Sequence, residues 1–268
     1  MTVTTTEDAP TKTSKPQISV EHVSKQFLSR KAARVVAVHD VSFDVAQGEF
    51  LSIIGASGCG KTTLLRMISG LVTYDAGTIR LRDTPVRKVP NGVAFVFQQP
   101  SLMPWRTVRQ NIAMGLTGAR PEVISAAKER IDSLLALTGL TDFAGHLPHQ
   151  LSGGMQQRAG LARALVSEPD VLLMDEPLGA LDAFTRMRLQ DELMVMLEGT
   201  RTTTVLVTHD VDEAIYLSDR ILVLASRPGR VRELVDVPAE RPRRRDDMLG
   251  DPELTKVRSH ILGLIVHQ

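Results

Sequence analysis

Much of what would mark a secreted, disulfide-built or membrane-spanning protein is missing from these 268 residues. There is one cysteine, Cys59. An intrachain disulfide is therefore excluded, and a reducing compartment is expected. No stretch approaches 18 consecutive apolar residues, so no helical membrane span is predicted. The N-terminus lacks the apolar core of a signal peptide, which reads as a chain made and kept in the cytoplasm unless a partner holds it at a membrane. Neither charge sign dominates. Lys and Arg total 32 against 31 Asp and Glu, so no global field argues for nucleic acid or a lipid surface. No internal repeat is visible. What remains is an ordinary globular composition, 43% hydrophobic and 24% charged, long enough for one large domain or a domain carrying a sizeable insertion.

The chain is organised around 50–66, where an apolar run enters a Gly-rich turn that opens into a helix-compatible segment. Gly55, Ala56, Ser57, Gly58, Cys59, Gly60, Lys61 and Thr62 have the G-x-x-x-x-G-K-T spacing of a phosphate-binding loop, with Thr63 following. Glycines let backbone N–H groups converge on phosphate oxygens, and the helix start aims free donors at the same anion. Lys61 can reach the β- and γ-phosphates of a bound nucleotide, and the Thr62 hydroxyl can ligate Mg²⁺.

Around this loop the pattern alternates strands and helices, which predicts an α/β fold with a parallel sheet flanked by helices. Residues 1–16, rich in Thr, Lys and Pro, read as a disordered tail. Strands are expected at 17–23, 41–45, 50–54, 78–81, 93–97, 171–174, 203–207 and 221–224. Between 100 and 166 the pattern turns helical, too long for a simple connection. There a helix over 121–138 would place Ile124, Ile131, Leu134 and Leu135 on one face. A helix over 183–198 would turn Leu189, Leu193, Met196 and Leu197 inward, and a short one over 211–218 would be capped by Asp210. The basic run 241–245 reads as a solvated linker, with anionic lipid as the sharper alternative. A last helix over 251–266 carries Leu254, Val257, Ile261, Leu264 and Ile265 on one face, which would dock on the domain. The division is thus a core over 17–99 and 167–235, a helical subdomain over 100–166, and a linker with a helix over 236–268.

Two further motifs add chemistry. The apolar run 171–174 ends in Asp175-Glu176. Ligands of open α/β sheets sit at the carboxyl ends of strands, so Asp175 falls beside the phosphate loop as a Mg²⁺ ligand through water, and Glu176 falls where it polarises an attacking water. Leu151-Ser152-Gly153-Gly154-Met155-Gln156-Gln157-Arg158 builds a second helix start suited to an anion. One nucleotide does not need two such sites from one chain, whereas two chains face to face would use both.

This ordered set resembles the ATP-binding subunit of an ABC transporter, over roughly 17–235. The resemblance implies a phosphate-loop NTPase core with an antiparallel β subdomain and an inserted helical subdomain, binding ATP and Mg²⁺. Leu151 to Arg158 corresponds to the family's signature, so Ser152, Gly153, Gly154 and Gln157 are expected at the nucleotide of a second copy. Gln98 corresponds to the glutamine that touches Mg²⁺ and links the site to the helical subdomain. Asp182 belongs to the loop that crosses the dimer interface, and His209 corresponds to the histidine on the γ-phosphate. Phe27 falls where an aromatic stacks on adenine, with a core phenylalanine as the alternative. Gly179 stands where many members carry serine. The segments 97–108 and 227–230 resemble the importer branch for nitrate, taurine and aliphatic sulfonates. They suggest that Trp105, the single tryptophan, lies near a membrane subunit or else packs the helical subdomain. The partners implied are a second copy, an integral membrane permease and, indirectly, a substrate-binding protein, without nucleic acid. The place implied is the cytoplasmic face of the plasma membrane. An exporter cassette and a soluble ABC ATPase of DNA repair or translation are the alternatives. The single cassette without a heptad run speaks against the latter, and Glu176 with His209 against a switch that does not hydrolyse.

Overall fold

The computed structural model describes residues 16–28, 34–117, 119–179, 181–226, 228–248 and 250–266. The expected tail lies outside them but for Pro16, as do Ala180 and Arg227 of the motif segments. The chain begins with β1 (Ile18–Leu28) and β2 (Arg34–Val45), an antiparallel pair, followed by β3 (Phe50–Gly55), α1 (Lys61–Ile68), β4 (Ala76–Leu81) and β5 (Thr84–Pro85). β1, β2, β4 and β5 form an antiparallel sheet in the order β2-β1-β4-β5. Along β2 buried and exposed residues alternate towards its end, the mark of a sheet with one wet face.

β6 (Val93–Val96) leads into the helical segment: α2 (Val108–Ala113), α3 (Pro121–Ser125), α4 (Ala127–Leu137) and α5 (Gly153–Leu165). The remainder runs β7 (Val171–Asp175), α6 (Ala183–Leu197), β8 (Thr203–Val207), α7 (Val211–Leu217), β9 (Arg220–Ala225), β10 (Arg230–Asp236), α8 (Arg245–Met248) and α9 (Pro252–Val266). The second sheet has the order β10-β9-β3-β8-β7-β6, parallel but for the antiparallel β10–β9 pair. All residues of β3, β7 and β8 are buried. These strands are covered on both faces, which is why they read as unbroken apolar runs. α1 packs between the two sheets, its Leu64, Leu65 and Ile68 in one cluster with Leu51 and Ile53 of β3, and a second cluster joins the other face of β3 and β7 to α5 and α6.

Two expectations are corrected. The helix over 121–138 is two helices, broken at Ala126 (φ −92°, ψ 11°). The Ser125 hydroxyl donates to the Glu122 carbonyl at 2.8 Å, a local bond that competes with the helix ladder. The break rotates α3, so that Val123 is buried at 5% exposure while Ile124 is 51% exposed. The run 241–245 is not a solvated linker. Arg241 donates twice to Asp219, at 2.7 Å each. Arg243, 7% exposed, donates to the carbonyls of Ile215 and Tyr216 at 3.1 Å and to that of Ala239. Arg245 bonds to Asp191, Gln190 and the Met187 carbonyl and stacks 4.2 Å from the Tyr216 ring. Basic composition alone suggested solvent; the free carbonyls at the end of α7 draw the guanidinium in instead. The strap leads into α9, which docks as expected with Leu254 and Ile261 buried.

Candidate functional site

The phosphate-loop sequence leaves β3 at its carboxyl end and enters α1 at Lys61. Gly60 caps the helix with φ +97°, and a Cβ there would stand 2.6 Å from the Ala37 carbonyl oxygen. Only glycine meets both demands. Lys61 is 6% exposed, and its Nζ donates to the carbonyls of Gly55 (2.8 Å) and Ala56 (3.1 Å). Cys59 is buried, and burial pushes its thiol pKa up against the pull of Lys61, which makes the thiol unreactive.

β7 and β8 bring the acidic pair and the histidine to this loop. Asp175, the last residue of β7, is 5% exposed and accepts a 2.7 Å hydrogen bond from the Thr62 hydroxyl. Burial raises its carboxyl pKa, while Thr62, Arg66 and Lys61 pull the other way. Glu176 takes φ +45°, a conformation that non-glycine residues seldom hold without tertiary support. That support is its backbone N–H, which donates to the Val207 carbonyl at 2.9 Å. Its Oε2 lies 3.3 Å from Nδ1 of His209 and accepts from Nε2 of Gln98 at 3.4 Å.

A cleft of about 420 Å³ is lined by Phe27, Ala37, Ser57, Gly58, Gly60, Lys61, Thr62, Thr63, Glu176 and His209. Phe27 is 42% exposed on its wall, which removes the reading as a core residue. Its ring lies 5.4 Å from Nζ of Lys25. The Ser152 segment does not line this cleft. Ser152 caps α5 by accepting from Met155 N–H at 3.3 Å, and a Cβ on Gly154 would stand 2.9 Å from Thr185 Cγ2. That helix start therefore neighbours the segment around Leu181, where Asp182 caps α6 by accepting from Thr185 N–H at 3.0 Å. Gln157 is buried, 4% exposed, with its Nε2 unpaired. Sequence reasoning missed Ala37 as a wall and the structural task of Gly229. The Gly229 carbonyl accepts from His39 N–H at 2.9 Å, and a Cβ there would lie 2.0 Å from the Cys59 carbonyl oxygen. The Pro228-Gly229 pair was the signal, since such a glycine allows close approach of two backbones.

The family model described as ABC transporter matches residues 38–179, just over half of the chain. The chain belongs to the ABC transporter family. Among similar proteins, the nitrate import ATP-binding protein NrtD of Synechococcus elongatus is 42% identical over 232 residues, covering 86% of this chain and 85% of that protein. The aliphatic sulfonates import ATP-binding protein SsuB 1 of Xanthomonas axonopodis pv. citri is 42% identical over 241 residues, 90% of this chain and 93% of that protein. A dimeric ATP-binding cassette in a post-hydrolysis state with ADP and Pi has a TM-score of 0.71 at 30% identity, covering 83% of this chain and all of that one. This ABC cassette is thus an ATPase, with the parallel sheet, antiparallel sheet and helices of its family.

Proposed function

We propose that this chain is the ATP-hydrolysing subunit of an importer, working as two copies that enclose two ATP between them. One observation carries the two-copy reading. Lys61, Thr62, Glu176, His209 and Phe27 line one cleft, while Ser152 and its glycines open a separate helix start beside Leu181 and Thr185. A serine-capped, glycine-flanked start offers bare N–H donors to an anion, and the cleft of its own chain is formed without it. The anion is then the γ-phosphate held by the other copy, and two-fold symmetry completes both sites at once.

In this reading the N–H groups of 55–60 and Lys61 hold the phosphates, Phe27 stacks on adenine, and His209 bonds the γ-phosphate. Glu176 takes the proton of the attacking water. Thr62 and Asp175, with Gln98, supply hard oxygen ligands suited to Mg²⁺. Among the described residues no group of three or more His, Cys, Asp or Glu could hold a metal. Mg²⁺ is commonly held by one or two side chains together with substrate phosphates and water, which this sparse set fits. When bound, it neutralises charge on the β- and γ-phosphates.

The relatives' names support nitrate or an aliphatic sulfonate as the solute; taurine, carried only by the sequence resemblance, falls chemically in the second class. No helix among the described residues is long and apolar enough to cross a membrane, so passage is assigned to a separate membrane permease, with a substrate-binding protein delivering the solute. The cassette would sit peripherally on the cytoplasmic face of the plasma membrane. Trp105, 73% exposed on the segment after Gln98, is the proposed contact to that permease. The core over 17–99 and 167–235, the helical subdomain over 100–166 and the C-terminal segment over 236–268 belong to the same reading.

The test mixes two variants. Lys61→Ala and Ser152→Arg should each silence their own homodimer. Random exchange gives about half mixed dimers, each with one intact site, so hydrolysis recovers to about a quarter of wild type, or one ATP stays tightly bound if both sites must act together. Mixed dimers that form yet show neither activity nor bound ATP would overturn the shared site. Hydrolysis in vesicles holding the permease, stimulated by nitrate or a sulfonate with its binding protein, checks the solute.

A further inference from the structure

We infer that Arg186 is a positioning residue that ties the loop entering α6 to the loop carrying His209, so that pressure from a second copy on the first loop sets the second. The guanidinium bridges two segments. Nη2 donates to the Leu181 carbonyl at 3.0 Å, and Nη1 lies 3.1 Å from Oδ2 of Asp210. Leu181 immediately precedes Asp182, the cap of α6. Asp210 immediately follows His209, and its Oδ1 caps α7 by accepting from Asp212 N–H (2.9 Å) and Glu213 N–H (3.1 Å). The Asp210 carboxylate thus holds its own helix with one oxygen and the neighbouring loop with the other.

Three observations make this more than a surface ion pair. The two side chains are 26% and 30% exposed, so water screens them only in part. The buried Nε of Arg186 has no hydrogen-bond partner, and among the described residues the guanidinium's hydrogen bonds go to these two loops. Further from the cleft, Gln190 on α6 donates to Glu213 on α7 at 3.1 Å, with both residues buried. The two helices are therefore joined at a second point, and a shift at one start is carried to the other rather than absorbed between them. Phe184, 86% exposed on the first turn of α6, stands on the surface where the second copy would press.

The inference rests on the two-copy reading above. In the full-length protein, Arg186→Met and Asp210→Asn should each lower kcat by about ten- to thirtyfold while the Kd for ATP stays within about twofold. Asparagine still caps a helix, so Asp210→Asn removes the charge pair and spares the cap. Since the two groups act as one tie, the double variant should be no slower than the slower single one. A residue that merely braced the fold would lower Tm and ATP binding together with kcat. Multiplicative losses, a parallel loss of ATP affinity, or kcat within about twofold of wild type for both variants would overturn the role of Arg186. A wild type that does not hydrolyse ATP, together with a Glu176→Gln variant that forms no ATP-held dimer, would overturn the two-copy reading, and this inference with it. A working wild type with unaffected variants overturns the inference alone.

Discussion

His209 Nδ1 lies 3.3 Å from Glu176 Oε2, although the two belong to distant parts of the chain. Strand register brings them together. Asp175, the end of β7, is paired with Val207, the end of β8, so the residue just after one strand meets the second residue after the other. The Glu176 N–H then continues the ladder onto the Val207 carbonyl, and its positive φ swings the carboxylate over the cleft rather than along the strand.

Glu176→Gln preserves volume and can keep contacts to Gln98 and His209, but an amide is a poor base. ATP binding should persist while turnover falls by about a hundredfold or more, the scale of general-base loss. A dimer held by ATP should appear on size-exclusion chromatography. Wild-type turnover would remove Glu176 as the base.

Phe27 is exposed on the cleft wall rather than packed in the core. Phe27→Ala should weaken ATP binding by about 1–2 kcal/mol, one aromatic–base stack, without lowering Tm. Isothermal titration of ATP checks this, and an unchanged Kd would detach Phe27 from the base.

Arg243 is buried, its guanidinium pKa drawn down to about 10 by desolvation and still charged at neutral pH. It satisfies the last carbonyls of α7. Arg243→Met keeps the aliphatic stem and strands those carbonyls, so unfolding in urea should show a loss of about 1–3 kcal/mol. ATP turnover of the folded fraction should be unchanged.

Glu213 is buried, and desolvation raises its pKa above the ordinary carboxyl value, while hydrogen bonds from Thr208 and Gln190 oppose the rise. The folded state therefore holds this proton more tightly than the unfolded chain. Its contribution to stability is full below the unfolded pKa and declines as pH rises through the folded one. Glu213→Gln mimics the protonated form and should remove that decline. Urea unfolding of both proteins at acid and neutral pH measures it, and an equal pH dependence in the two would contradict the assignment.

The sequence by itself determined the local parts of this ABC cassette. The phosphate loop, the Asp175-Glu176 strand exit, the caps at Ser152 and Asp210, and the buried strands are all legible from contiguous residues, because apolar periodicity, glycine spacing and cap chemistry act within one turn or one strand. The tertiary structure decided what depends on residues far apart. It placed Phe27 on the cleft rather than in the core, put Ala37 and Gly229 against the loop, and broke the helix at Ala126. It also folded the arginines at 241, 243 and 245 inward, although their composition reads as solvated. An arginine looks the same in a sequence whether it meets water or the end of a helix. Only packing supplies the unpaired carbonyls at the end of α7 and the carboxylates of Asp219 and Asp191 that make burial of those charges favourable.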